Sequence, residues 1–331
     1  MAEQPSSALT MLTEFFSAEH IEAAARQTGF VQRTSKITGK IFLALVTFGV
    51  WGDAKTTLAQ LAAKVAHLSQ HVAVSPEAIY QRRNKRALAV LQALIRQAFA
   101  KLQSCQEVSE ENLFTPFARV HIADSTGFEL PDSLKYTCPG AGGSAAQAGA
   151  KLQLVGDYKS SVLPHFALTP WNIPDQKYID TVVTLARQDD LFIFDLGYFK
   201  INALASMADA HAYFLCRLNH QTTILEAVAD RVAPMELAPF LTAVESHIGQ
   251  KPILIGVKER VASRLIASRV PEAVVNARRR MARKNAKKKG STPSQTPLAL
   301  LAWNLFITNV PQTIWQPLTV LRVDPIRWQV A

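Results

Sequence analysis

Two aspartates stand where catalytic chemistry concentrates. Asp124 follows the apolar run Val120-His121-Ile122-Ala123, and Asp195 follows Leu191-Phe192-Ile193-Phe194. Each run is short and bounded by turn residues, so each reads as a buried strand ending at its acid. In mixed α/β sheets, ligands and reacting groups gather at the carboxyl ends of strands. Two carboxylates on neighbouring strands also supply the hard oxygen donors that a divalent cation prefers. A lone aspartate after a strand is more often a turn or cap residue. The pair is more informative because Asp124-Ser125-Thr126-Gly127 and Asp195-Leu196-Gly197-Tyr198 both place a small residue soon after the acid, leaving room beside the carboxylate.

Other chemistries find less support. His67 and His71 lie one helical turn apart but lack a third ligand. Cys216 sits in the apolar run Tyr213-Phe214-Leu215-Cys216 and reads as a packed small hydrophobe. No Gly-x-Ser-x-Gly elbow is present, and the glycines between Cys138 and Gly149 complete no nucleotide-cradling motif.

The elements that must carry the acids alternate between strand and helix. Candidate strands are Arg119–Ala123, Leu152–Asp157, Leu163–Leu168, Leu191–Phe194, Ala212–Leu218, Ile253–Val257 and Leu300–Thr308, with helices at Lys177–Arg187 and Ile201–Asp209. That alternation predicts a mixed α/β sheet. The segment Cys138–Gly149 reads as a mobile loop. The first hundred residues instead show helical spacing, at Leu9, Leu12, Phe15 and Phe16, then at Leu88, Leu91, Ile95, Phe99 and Leu102 on one face of a long helix. Thr57 with Gln60 fits a capping box, and Ser75-Pro76 opens a second helix. The first turns of that helix carry Gln81, Arg82, Arg83, Asn84, Lys85 and Arg86 ahead of the apolar stripe. Such an order suits a recognition helix in a DNA groove and equally a solvated basic face.

A chain of 331 residues with 48% hydrophobic content has material for two domains, which excludes disorder as its main state. Three scattered cysteines provide no disulfide framework and point to a reducing cytoplasm. No secretion leader is legible. The longest apolar stretch, Ile41–Trp51, is about half the ~20 residues needed to cross a bilayer, so it reads as a buried core helix and no membrane partner is expected. The net charge of +10 is concentrated: Lys258–Gly290 holds twelve basic and two acidic residues, while the remainder balances at 24 each. A charge excess confined to one segment suggests contact with a polyanion.

In order, Asp124-Ser125-Thr126, a Gly-rich loop running into Lys151-Leu152-Gln153-Leu154, Asp195-Leu196-Gly197-Tyr198-Phe199, Tyr213 to Arg217, Arg279-Arg280, Thr308-Asn309-Val310-Pro311 and Arg327-Trp328-Gln329 resemble the DDE transposases of bacterial insertion sequences. The resemblance runs from about Asp124 onward. It implies an RNase H-like α/β catalytic domain over 116–331 with a β-rich insertion at about 212–298, preceded by an all-α DNA-binding domain over 1–105. Asp124 and Asp195 are then catalytic and metal-holding, with Mg2+ or Mn2+ as cofactor. Double-stranded DNA, both transposon ends and target, is the implied partner, bound by a homodimer. Phosphate contacts fall to Arg82, Arg83, Lys85 and Arg86 near the N-terminus and to Arg217, Arg278, Arg279, Arg280, Arg283, Lys284 and Arg327. The implied reaction cleaves the element's ends with water and joins the freed 3′ hydroxyls to target DNA.

The sequence departs from the group's Tyr-x2-Arg-x3-Glu-x6-Lys motif. Arg327 fits the arginine, Asp324 stands where the tyrosine belongs, and the glutamate position falls on Ala331. The expectation is therefore a chain cut off at the start of its catalytic helix, inactive alone, with apolar surface exposed around Trp303, Leu305 and Ile307. The alternative is a non-catalytic DNA-binding protein, either a transposition repressor or a remnant. A nuclease of the same fold would need its own third acid.

Overall fold

The β-branched and aromatic runs beside the two aspartates form the middle of a single sheet, as their composition favours. The computed structural model describes residues 17–49, 56–68, 73–103, 112–142, 146–160, 162–228, 231–288, 290 and 295–329. Its strands are β1 (Val120–Leu130), β2 (Ala148–Asp157), β3 (Val162–Pro170), β4 (Leu191–Phe194), β5 (Tyr213–Arg217), β6 (Ile224–Val228), β7 (Arg231–Pro234), β8 (Ile248–Ile255), β9 (Val261–Arg269) and β10 (Trp303–Thr308). They lie side by side in the order β3-β2-β1-β4-β5-β10-β9-β8-β6-β7.

β4 is flanked on both sides by parallel neighbours, β1 and β5. All four of its residues are buried, which is why it reads as a continuous apolar run without alternation. Alternate residues serve opposite faces. Phe192 and Phe194 pack with Val155, Phe214 and Ile307 under two helices, α6 (Asp175–Val183) and α7 (Ile201–Asp209), which contribute Ile179, Val182, Leu204 and Met207. Leu191 and Ile193 face the other way, with Val120, Ile122, Leu215 and Phe306, against Trp315 and helix α11 (Pro317–Val323). α7 bridges β4 to β5, the crossover that parallel strands require.

Several expectations change here. β1 does not end at Ala123 but runs through Asp124 to Leu130. Strands β6, β7 and β9 were not foreseen, because Glu226, Arg231 and Arg264 interrupt their apolar patterns. The basic segment contains a 17-residue helix, α9 (Glu272–Lys288). Trp303, Leu305 and Ile307 are buried in the main core rather than exposed. The Cys138–Gly149 segment is hydrogen-bonded at its base, with Gly140 N–H donating to Gln147 O at 2.8 Å and Gly149 N–H to Cys138 O at 3.0 Å. Between them a Cβ on Gly140 would fall 1.9 Å from Ala146 O, so only glycine fits.

The N-terminal residues form helices α1 (Ala18–Gln27), α2 (Gly39–Ala44), α3 (Leu58–Leu68), α4 (Pro76–Gln81) and α5 (Lys85–Gln103) around Phe30, Phe42, Val65, Ile79, Val90 and Leu94. The Thr57–Gln60 box closes α3, with Thr57 N–H donating to Gln60 Oε1 at 2.7 Å and Gln60 N–H to Thr57 Oγ1 at 3.3 Å. Ser75 caps α4 through Ala78 N–H. The single long helix expected from Pro76 is broken at Arg82–Asn84, because Asn84 Oδ1 accepts from Arg86 N–H and Ala87 N–H and so starts α5 anew. The expected stripe is also displaced by one residue. Ala87, Val90 and Leu94 are buried, whereas Leu88 and Ile95 are exposed. α5 is apolar on several sides, so spacing alone could not select the buried one. The described part of the Ile41–Trp51 stretch, up to Gly49, belongs to α2 and to one π-helical turn, Leu45–Gly49, and it packs Phe42 and Leu45 into this core. Leu9, Leu12, Phe15, Phe16 and His71 lie outside the described residues.

Residues 1–110 with 129–149 form one compact unit, and 111–128 with 150–331 form the other. Among the described residues no helix is long and apolar enough to cross a membrane.

Candidate active site

Strand register brings the two acids together. Ala123 on β1 pairs with Phe194 on β4, so Asp124 and Asp195 are the residues that directly follow the last parallel pair. Neighbouring strands lie about 4.8 Å apart, a separation that two carboxylates can bridge through one cation. Ser125 N–H donates to Asp124 Oδ1 at 2.8 Å, and Tyr198 N–H donates to the Asp195 carbonyl at 3.0 Å across a 3-10 turn. The residues fit one hard cation by donor chemistry. Among the described residues, no cluster of three or more His, Cys, Asp or Glu could hold a metal.

The small residues after each acid serve a different purpose from the one expected. A Cβ on Gly127 would come within 2.9 Å of the Trp171 ring, and one on Gly197 within 3.3 Å of Asp175 Oδ2. They admit close neighbours rather than leave space at the carboxylates. Asp175, at the start of α6, was not singled out from sequence. Its Oδ1 accepts from Lys151 Nζ at 2.7 Å and Gln153 Nε2 at 2.8 Å. Cys216 pairs with Phe194 and is buried, as its apolar setting suggested. Burial pushes its thiol well above the usual range, and the Asp195 carboxylate adds to the effect, so it is no nucleophile.

The expected DNA-contacting cations divide into two groups. Arg82 donates to Phe30 O at 2.7 Å and Ser35 Oγ at 2.6 Å and lies over the Phe30 ring, so it ties the helical unit together. Arg217 pairs with Asp324 at 3.0 Å. Arg278 donates to Asn304 Oδ1 at 2.8 Å and to the carbonyls of Leu301 and Trp303, and Arg279 donates to Leu298 O. Arg83, Lys85 and Arg86 are exposed around the α4–α5 junction, and Arg280, Arg283 and Lys284 are exposed along α9. The side chain of Arg327 lies outside the described residues.

With this geometry in place, the Transposase DDE domain family matches residues 115–330, about two thirds of the chain. The chain belongs to the DDE transposases. The family acts on DNA by polynucleotidyl transfer and generally uses divalent metal ions. Among curated proteins, the chain is similar to the transposase for insertion sequence element IS231B of Bacillus thuringiensis subsp. berliner, at 28% identity covering 96% of this chain and 70% of that protein. It is also similar to the transposase for IS231D of Bacillus thuringiensis subsp. finitimus, at 28% identity over 94% and 68%. The transposase for IS1151 of Clostridium perfringens matches at 27% identity over 96% and 70%.

Proposed function

We propose that this chain binds double-stranded DNA at the ends of an insertion sequence, with Asp124 and Asp195 holding Mg2+ or Mn2+ for strand cleavage and strand transfer. The observation that carries the reading is the Ala123–Phe194 register, since each acid is the residue that directly follows this pair. The core of the sheet, with parallel β1, β4 and β5, supports an RNase H-like domain over 116–331, and β6 to β9 form the insertion within 212–298. The helices within 1–105 form the DNA-reading domain, presenting Arg83, Lys85 and Arg86 to base edges or phosphates, while α9 holds phosphates without regard to sequence. The protein works where its DNA lies, in the bacterial cytoplasm, and a homodimer would bring two ends together.

A divalent ion at this site would lower the pKa of an attacking water and stabilise the leaving 3′ oxygen. Asp124 and Asp195 would contribute hard ligands at the ends of paired strand residues, and the α9 cations would hold the phosphate backbone. A second ion needs a third acid. Asp324 does not supply it, being paired with Arg217.

The test pairs metal binding with nicking of supercoiled plasmid bearing the element's ends. Mn2+ should stabilise the parent fold and leave Asp124→Asn and Asp195→Asn unmoved. Nicking should require the divalent ion and be abolished by Asp195→Ala. Nicking undiminished in Asp195→Ala would place the chemistry elsewhere. The second reading, a DNA-binding protein without catalysis, is favoured by the lack of a three-acid cluster among the described residues. It is upheld if the protein binds the ends but never cleaves them.

A further inference from the structure

A chain of polar groups starts in the turn that follows Asp195 and runs to strand β2 and helix α6. Tyr198, three residues past Asp195, is 1% exposed. Its hydroxyl donates to Gln153 Oε1 at 2.5 Å. Gln153, on β2 and wholly buried, donates onward from Nε2 to Asp175 Oδ1, where Lys151 Nζ also donates. One phenol thus joins the turn that follows Asp195 to strand β2, the neighbour of the strand carrying Asp124, and through Gln153 to helix α6.

Burying an amide and a phenol is costly unless every partner is present, and a leucine and phenylalanine would fill the same space without that demand. What the polar version adds is direction: each bond constrains an angle that apolar packing leaves free. Two neighbouring carboxylates repel, so without a constraint the turn after β4 would relax away from β1. Gly197 is part of the same construction, since its missing side chain lets the turn lie against Asp175.

We propose that Tyr198, Gln153 and Asp175 are positioning residues that hold Asp124 and Asp195 at the separation spanned by one divalent ion. The proposal rests on the reading of those two acids as metal ligands. It assigns the three residues no contact with metal or DNA.

A matched pair of tyrosines tests it. Tyr178 on α6 is also buried, and its hydroxyl has no hydrogen-bond partner among the described residues, so Tyr178→Phe removes an oxygen without breaking this network. Mn2+ binding by the full 331-residue chain is measured by electron paramagnetic resonance of the free ion, alongside the thermal midpoint of each variant. Tyr198→Phe should weaken Mn2+ binding about tenfold, the size of one buried hydrogen bond, while Tyr178→Phe leaves it at the parent value. Gln153→Leu should behave like Tyr198→Phe. Equal Mn2+ affinity in Tyr198→Phe and the parent, whatever happens to the midpoint, would reduce the network to packing and overturn the proposal. If Tyr198→Phe does not fold, Gln153→Leu carries the same comparison from the β2 side. Absence of Mn2+ binding by the parent, or binding undiminished in Asp124→Asn, removes the metal reading itself and the proposal with it. That outcome is distinct from a parent that binds and a Tyr198 variant that binds equally well.

Discussion

At the scale of single residues, the acids are supported by neighbours whose charge and burial are set by the sheet. His121 lies on β1 three residues before Asp124 and is 1% exposed, with its ring 4.7 Å from that of Phe192. Its Nε2 is 3.6 Å from Asp190 Oδ2, and Asp190 is gripped by Arg119. Burial holds the imidazole below its usual pKa of 6.5, outweighing the pull of the Asp190 and Asp157 carboxylates. The folded state therefore keeps His121 neutral. Below pH 6.5 the unfolded chain takes up a proton that the folded chain refuses, so stability falls as pH drops from there toward the lowered folded value. One proton contributes a slope of up to about 1.4 kcal/mol per pH unit. His121→Phe, which preserves the ring stack, should flatten that acid limb in urea melts taken between about pH 7 and about pH 5.5. An unchanged limb would assign the acid sensitivity to other groups.

At the scale of elements, α9 separates two uses of arginine that the sequence merges into one basic run. Arg278 lies on the face turned toward β10, where it satisfies two carbonyls and Asn304, and burial together with the Arg217 charge lowers its pKa. Arg280, Arg283, Lys284, Lys287 and Lys288 are exposed. Replacing these five by alanine should flatten the plot of log DNA affinity against log salt by about 0.9 for each phosphate that is no longer neutralised. Arg278→Ala should instead lower the thermal midpoint and leave that slope in place, because a guanidinium bonded within the protein is not a free counter-charge. A slope untouched by the five-fold replacement would move DNA binding off this helix. The break between α4 and α5 makes the same point in the helical unit, where Arg82 is bonded internally and Arg83, Lys85 and Arg86 stay exposed.

At the scale of the whole molecule, the helical unit and the sheet unit each bury their own core, one around Val90 and Leu94 and the other around Leu204 and Phe192. Two cores predict two calorimetric transitions. Leu94→Ala and Leu204→Ala should each destabilise one transition by about 2–5 kcal/mol and leave the other in place. A single transition moved by both variants would show that the units unfold together. Local signals in the chain were enough to determine the strands beside the two aspartates, the Thr57–Gln60 and Ser75 caps and helix Ile201–Asp209, because each depends on residues within a few positions of one another. The motif order likewise pointed to the family that residues 115–330 match. Only the tertiary structure decided which strands are neighbours, and hence that Asp124 and Asp195 follow paired residues although they lie far apart along the chain. It alone joined Tyr198, Gln153 and Asp175, selected the buried side of α5, and turned Arg82, Arg217 and Arg278 inward. Pairing, burial and ion partners depend on segments distant in sequence, and neither spacing nor propensity encodes that information locally.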